Sequence, residues 1–311
     1  MSLLSNPFLA SAVARGMQGL FSVAHILGQA GAPKGLFPEH AGKVRRMTIP
    51  TAVAPAPVVV YAPESQDPRP PVHVNFHGGG YILRGLQGDD ALCRFLAAEA
   101  EVVVVNVDYA VAPQHPFPAP THQAFEVVRW VAEHGEQCGW DGGRLSIGGQ
   151  SAGGGLAAAV ARQALEQGGP PIALQVLHYP PLDLATPGRD KRSVIAKPLL
   201  RPWMAEIFDN AYVPDPHERF DRLVSPANAA DTADLRGIAP ALVITAEFDL
   251  LRAEGQRYAH RLSQVGALVE HRDVAGADHG YDLKDFEKAR DTYSHIARIM
   301  KQAVQAKQSQ R

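Results

Sequence analysis

The chain has 311 residues, 46% of them hydrophobic, and a formal net charge of -2 at pH 7. That length suits one large domain with a substantial core, and the near-neutral charge argues against nucleic acid or an anionic membrane surface as a main partner. No apolar run is long enough to span a bilayer, which argues against stable membrane insertion, and two cysteines, Cys93 and Cys138, read as buried free thiols rather than a disulfide scaffold.

From the N-terminus, Met1 to Ala30 is fairly apolar but has no early basic cluster, and Asn6, Arg15 and Gln18 interrupt it. It makes a poor secretory signal, so the expected location is cytoplasmic. Val13, Met17, Leu20, Ala24 and Leu27 fall at helical spacing, and such a helix needs something to cover. Strands are expected at Val44 to Ile49 and Val58 to Tyr61, with Pro-rich turns at Ala54 to Pro57 and Pro63 to Pro71.

A third strand, Val72 to Phe76, runs into His77-Gly78-Gly79-Gly80-Tyr81. Three consecutive glycines leave three backbone amides unshielded. Gly79 and Gly80 are the candidates for binding an oxyanion, with Gly78 supporting the turn. A flexible surface loop is the alternative reading. His77 and His73 share a strand face, but two histidines without a third ligand make a weak zinc site. A hydrogen bond from His77 that braces the glycine loop fits better.

A helix at Asp89 to Glu99, a strand at Val102 to Val107 and a helix at Ala119 to Glu136 follow. Then Arg144 to Ile147 reads as a strand and Leu156 to Gln167 as an Ala-rich helix. Between them lies Gly149-Gln150-Ser151-Ala152-Gly153. Strand, Gly-x-Ser-x-Gly and helix together form the context of a nucleophile elbow. The sharp turn lifts the Ser151 hydroxyl above the sheet, and the new helix points its free amides, that of Ala152 first, at an anion forming beside it. A glycine-rich turn without chemistry is the plain alternative.

The strand Ala173 to Tyr179 comes next. The segment Ala185 to Ala227 then interrupts the alternation with prolines, Trp203, Phe208 and Tyr212. These aromatics read equally as pocket lining and as ordinary packing. The strand Ala241 to Thr245 runs into Glu247-Phe248-Asp249 and a helix at Leu250 to Val265. The strand Leu268 to Asp273 runs into a loop carrying Asp278 and His279, and a helix at Phe286 to Ala306 ends the pattern. The order Ser, Asp, His is that of the nucleophile-elbow hydrolases. Asp249 is the favoured acid partner for His279. Glu247 could be turned away by strand alternation, and Asp278 adjoins the histidine too closely in sequence to buttress it. The whole is α/β: a mostly parallel eight-stranded sheet with helices on both faces.

Residues 44 to about 300 resemble the hormone-sensitive-lipase-like carboxylesterases, the bacterial esterase group of the α/β-hydrolases. The resemblance rests on His77 to Tyr81, Asp108 to Pro113 with His115 to Ala119, Gly149 to Gly154, Phe248 to Arg252, and His279-Gly280. It implies an α/β-hydrolase fold with a helical cap, formed by about residues 1–43 and 185–227 of a single domain. It also implies Ser151 as nucleophile, Asp249 and His279 as its partners, and Gly79, Gly80 and Ala152 as the oxyanion hole. The Asp108 block is a structural signature. The implied reaction is hydrolysis of short- to medium-chain acyl esters, with a small-molecule substrate and no metal or organic cofactor. One residue departs from the family pattern: Gln150 stands where an acid usually precedes the serine.

Other readings stay open at this point. An amidase, lactonase or deacetylase would use the same framework, and a non-catalytic ligand-binding member of the superfamily would share the fold. A nucleotide-binding oxidoreductase is disfavoured, because Gly149 to Gly154 does not fit Gly-x-Gly-x-x-Gly. The oligomeric state is open, a homodimer included.

Overall fold

The computed structural model describes residues 6–26, 37–40 and 42–306, and only the backbone of residues 23–26. All eight expected strands form: β1 (Lys43–Ile49), β2 (Ala56–Ala62), β3 (Pro71–Phe76), β4 (Val103–Val107), β5 (Asp141–Gln150), β6 (Ile172–His178), β7 (Ala241–Ala246) and β8 (Leu268–Val274). They join one sheet in the order β1-β2-β4-β3-β5-β6-β7-β8. The short Pro-rich link after β1 closes a hairpin, so β1 and β2 run antiparallel, and β2 lies antiparallel to β4. From β4 to β8 all pairs are parallel, because helical crossovers separate consecutive strands.

The central strands are apolar without alternation, since helices cover both faces. On one face, Val74, Phe76, Val105 and Ile147 pack against α3 (Ala119–Glu133), α5 (Ala152–Gln167) and α7 (Arg252–Gln264). On the other, Val104, Leu174, Leu242 and Ile244 pack against α2 (Asp90–Glu99) and α8 (Phe286–Ala306). The edge strand β8 carries Glu270, His271, Arg272 and Asp273, all half-buried.

The expected helix over Ala119 to Glu136 is broken. α3 stops at Glu133, and a separate turn, α4 (Gly135–Cys138), follows. The ring of His134 stacks on Trp130 at 4.3 Å. A side chain at Gly135 would come within 2.6 Å of the Trp140 carbonyl, so the chain doubles back closely there. Of the two thiols, Cys93 is buried as expected, but Cys138 is only half-buried.

α1 (Pro7–Ile26) forms as expected and lies against α6 (Pro202–Tyr212), in the segment that interrupts the alternation. Its buried face is not the expected one. Leu20 is 74% exposed, whereas Ala10 and Ala14 are fully buried. Gln18, which looks like an interruption in the sequence, is an anchor: its Nε2 donates to the carbonyls of Ile82 at 2.7 Å and Ala112 at 3.0 Å. Val13 and Met17 are half-buried; the side chain of Ala24 and all of Leu27 lie outside the described residues. Among the described residues, no helix is long and apolar enough to cross a membrane.

Candidate active site

The chain leaves β3 toward β4 on one side, then returns across it to β5 on the other. This reversal opens a crevice beyond the carboxyl ends of β3 and β5, where parallel sheets place their ligand sites. The glycine loop follows β3 and Ser151 follows β5, so the two motifs meet there.

β5 runs further than expected, to Gln150, because Gly148 and Gly149 pair with β3 and β6 within the sheet. The chain then turns through Ser151 at φ 51° and ψ -121°, a region that costs a non-glycine residue about 1–3 kcal/mol. α5 begins at Ala152, earlier than expected from helix propensity. The glycines of its first turn serve approach rather than propensity. A Cβ on Gly153 would lie 1.8 Å from the Phe76 carbonyl oxygen, and one on Gly149 would lie 2.3 Å from the same atom. Gly153→Ala is therefore expected to push β3 and α5 apart and to destabilise the fold by about 3 kcal/mol or more, read as a lowered Tm. A Tm within a degree or two of the parent would contradict this packing.

The three separated residues singled out in the sequence meet. His279 Nε2 lies 2.9 Å from Ser151 Oγ, and His279 Nδ1 lies 2.8 Å from Asp249 Oδ2. An ionised carboxylate only accepts, so Nδ1 carries the proton and Nε2 is free to accept from the serine hydroxyl. The competing acids are engaged elsewhere. Glu247 Oε2 accepts from the amide of Gly276 at 2.7 Å. Asp278 accepts from the amides of Leu199 at 2.6 Å and His279 at 2.7 Å. Asp249 is 2% exposed, and the Leu251 amide donates to its Oδ1 at 3.0 Å. Burial pulls the pKa of His279 down. The charge and hydrogen bond of Asp249, with Asp278 and Asp282 adding, outweigh that and hold it above the usual 6.5.

Gly79 and Gly80 adopt φ of 123° and 60°. Among the described residues, neither amide donates to a backbone carbonyl. Ala152 opens α5, so its amide has no acceptor within the helix. His77 is fully buried and stacks on Tyr109 at 4.3 Å. Its Nδ1 donates to the Gly78 carbonyl at 2.6 Å, and the Tyr109 hydroxyl donates to the His77 carbonyl at 2.9 Å, so it braces the loop as expected. His73 instead meets Ser146 Oγ at 3.0 Å. Asp108 accepts from Arg84 at 2.7 Å on the outer side of the same loop.

The sequence did not disclose what surrounds Gln150. Its Nε2 donates to Asp282 Oδ2, and Asp282 also accepts from the hydroxyls of Tyr179 at 2.6 Å and Tyr293 at 2.7 Å. A carboxylate thus stands beside the elbow, contributed by the loop after His279. The Tyr179 ring packs on His279 at 4.8 Å.

Ser151, His279, Gly79 and Gly80 line a cavity of about 430 Å³. α1 contributes Phe21 to its wall, and α6 contributes Met204, Ala205 and Phe208. Of the three aromatics noted in that segment, only Phe208 faces the cavity. Tyr212 is buried, stacked on Tyr81 at 3.9 Å, and Trp203 is 52% exposed.

Ser151, His279 and Asp249 thus form a hydrogen-bonded series at the wall of this cavity. A model of the alpha/beta hydrolase fold matches residues 73–283. Esterase LipI of Mycobacterium tuberculosis is 39% identical over 219 residues, covering 68% of this chain and 65% of LipI. Carboxylesterase NlhH of the same species is 38% identical over 231 residues, covering 72% of this chain and 70% of that protein. The chain therefore spans about two thirds of the length of these relatives. A hyperthermophilic esterase from Pyrobaculum calidifontis superposes with a TM-score of 0.82 at 33% identity, over 94% of this chain and 92% of that one. The chain belongs to the α/β-hydrolase family, in its hormone-sensitive-lipase-like carboxylesterase branch.

Proposed function

We propose that this chain is a serine carboxylesterase acting on short- to medium-chain acyl esters. The observation that carries the reading is the hydrogen-bond series from Ser151 through His279 to Asp249, set in the wall of the cavity beside the glycine loop. His279 takes the hydroxyl proton as Ser151 Oγ attacks the ester carbonyl. The oxyanion is received by the amides of Gly79, Gly80 and Ala152, each such donor typically worth about 10²–10³ in rate. His279 then protonates the leaving alcohol, and water activated by the same imidazole releases the acid. Asp249 keeps the imidazole in the required tautomer and balances its transient charge. Side chains and amides handle every proton and charge in this cycle, so the reaction calls for no metal or organic cofactor.

The fit to smaller acyl chains is supported by the cover over the cavity. We assign α1 and the segment 185–227 to a cap: Phe21 and Phe208 both line the cavity, and α1 lies on α6. A Cβ on Gly80 would lie 2.6 Å from the Phe208 ring, so that ring sits directly over the glycine loop. The test is a series of para-nitrophenyl esters from acetyl to palmitoyl, run beside matched anilides. Turnover of the shorter esters, falling for long chains and absent for anilides, is expected. Deleting residues 1–30 should cut activity on the short esters while Ser151 still reacts with a small organophosphate. Identical rates and chain-length profiles for the full and shortened proteins would refute the cap, and a preference for long-chain triglycerides would refute the substrate class.

The pH dependence follows from the raised pKa of His279. The imidazole must be neutral to accept the proton, so kcat/KM should rise with pH and reach half its plateau above about 6.5. A profile already flat below that pH, with chemistry limiting, would argue against His279 as the base.

A further inference from the structure

The cavity wall is apolar along Leu199, Leu200, Met204 and Phe208, and polar at Arg84, Asp89, Gln150 and Lys191. Asp209 of α6 also lines it. The residue is only 7% exposed, and its Oδ2 is buried without a hydrogen-bond partner among the described residues. A buried carboxyl oxygen left unpaired is costly, and native structures rarely leave one so.

Its charged neighbours bond to other groups. Lys191 lines the same cavity, but its Nζ lies 2.7 Å from Glu254 Oε2. The other oxygen of Glu254 accepts from the Leu182 amide at 2.7 Å. Asp183 takes bonds from Thr186 at 2.8 Å, Asn228 at 2.9 Å and Arg257 at 2.7 Å. Arg219 donates to Asn210 Oδ1 at 2.8 Å and the Val213 carbonyl at 3.0 Å. Asp209 is the acid of this cluster that lines the cavity with a buried oxygen left unbonded.

We propose that Asp209 is a substrate-recognition group that takes a hydroxyl carried by the ester, so that the favoured substrates are hydroxyl-bearing esters rather than purely hydrocarbon ones. The inference rests on the ester-hydrolase reading above and names its substrate class. The charges present select the partner. A carboxylate on the substrate would meet Asp209 and Glu254 as like charges. An ammonium would meet Lys191 and Arg219, the two cations that act on Asp209. A hydroxyl carries no charge and both donates and accepts. That second property matters because burial pushes the Asp209 carboxyl up to about 7, against the pull of Lys191 and Arg219. Both forms of the acid are then present near neutrality, and a hydroxyl can bond to either.

The test uses the full chain and acid release in a pH-stat, with organophosphate titration of Ser151 to count active sites. Two matched pairs place the hydroxyl on opposite arms of the ester: ethyl hexanoate against ethyl ω-hydroxyhexanoate, and butyl acetate against ω-hydroxybutyl acetate. In the pair whose hydroxyl reaches Asp209, the parent protein should favour the hydroxylated ester about tenfold in kcat/KM, because a site built to bond a hydroxyl discriminates against its absence. Asp209→Leu should invert that ratio, lowering kcat/KM for the hydroxylated ester mainly through KM and raising it for the plain one. Asp209→Asn keeps the volume and the bonding capacity and should retain most of the preference. No preference in either pair by the parent protein would overturn the proposal, and this holds even where the leucine variant does not fold. A parallel fall for both esters in the two variants would make Asp209 a packing residue and equally overturn it. Absence of acid release from all four esters would instead strike the hydrolase reading itself.

Discussion

Ser151→Ala is expected to lower kcat for a short-chain ester by several orders of magnitude, about 10⁴- to 10⁶-fold, while the protein stays folded. The loss is large because the three groups act as a unit. Without Oγ, the proton acceptor at His279 Nε2, now 2.9 Å away from it, has nothing to activate. The folded state should tolerate the change. Alanine keeps the Cβ, so the φ 51° turn holds the same side-chain branch as before. The bonds that fix the turn are backbone ones, from the Ser151 amide to His178 at 2.9 Å and from the Gly155 amide to Ser151 at 3.1 Å. Steady-state kinetics with a thermal melt read both halves. A variant that is folded yet retains a tenth or more of the parent's kcat would remove Ser151 from the reaction.

Asp249→Asn should cost about 10⁴ in kcat, and the reason lies in which amide atom faces the histidine. The Leu251 amide donates to Asp249 Oδ1 at 3.0 Å, so in the variant the amide oxygen is held there. The NH₂ group then occupies the position of Oδ2, 2.8 Å from His279 Nδ1. It can only donate, so Nδ1 must become the acceptor and the proton moves to Nε2. A protonated Nε2 cannot take the proton of Ser151. Glu247→Gln and Asp278→Asn should be mild by comparison, since these acids hold backbone amides rather than the imidazole side chain. A crippling Glu247→Gln beside a mild Asp249→Asn would reverse the assignment of the acid.

Much of this site is legible in the chain because its parts are local. A strand, a tight turn and a helix start are short-range patterns, and each candidate catalytic residue follows the end of a strand. Ser151, Asp249 and His279 could therefore be named from their positions, and the parallel sheet brings strand ends together. What was not legible depends on contacts between distant segments. The apolar spacing of α1 pointed to Leu20, yet the helix is held by Gln18 reaching carbonyls 64 and 94 residues away. Periodicity treats a polar residue as outward-facing and has no means of seeing an acceptor on another element. Gln150 reads as the loss of an acid, and only the fold brings Asp282 beside it. Asp209 is similar. In sequence it is one charge in the segment that interrupts the alternation, and only the cavity it lines gives its position meaning.

The central claim is that Ser151 is the nucleophile of an ester hydrolase. It is tested most directly by stoichiometric labelling with diethyl para-nitrophenyl phosphate, followed by peptide mass spectrometry and residual activity on a short-chain ester. One phosphoryl group per chain, located on Ser151, with activity lost in proportion to labelling, is the predicted result. Inactivation with the label on any other residue, or full labelling of Ser151 with ester turnover intact, would contradict it.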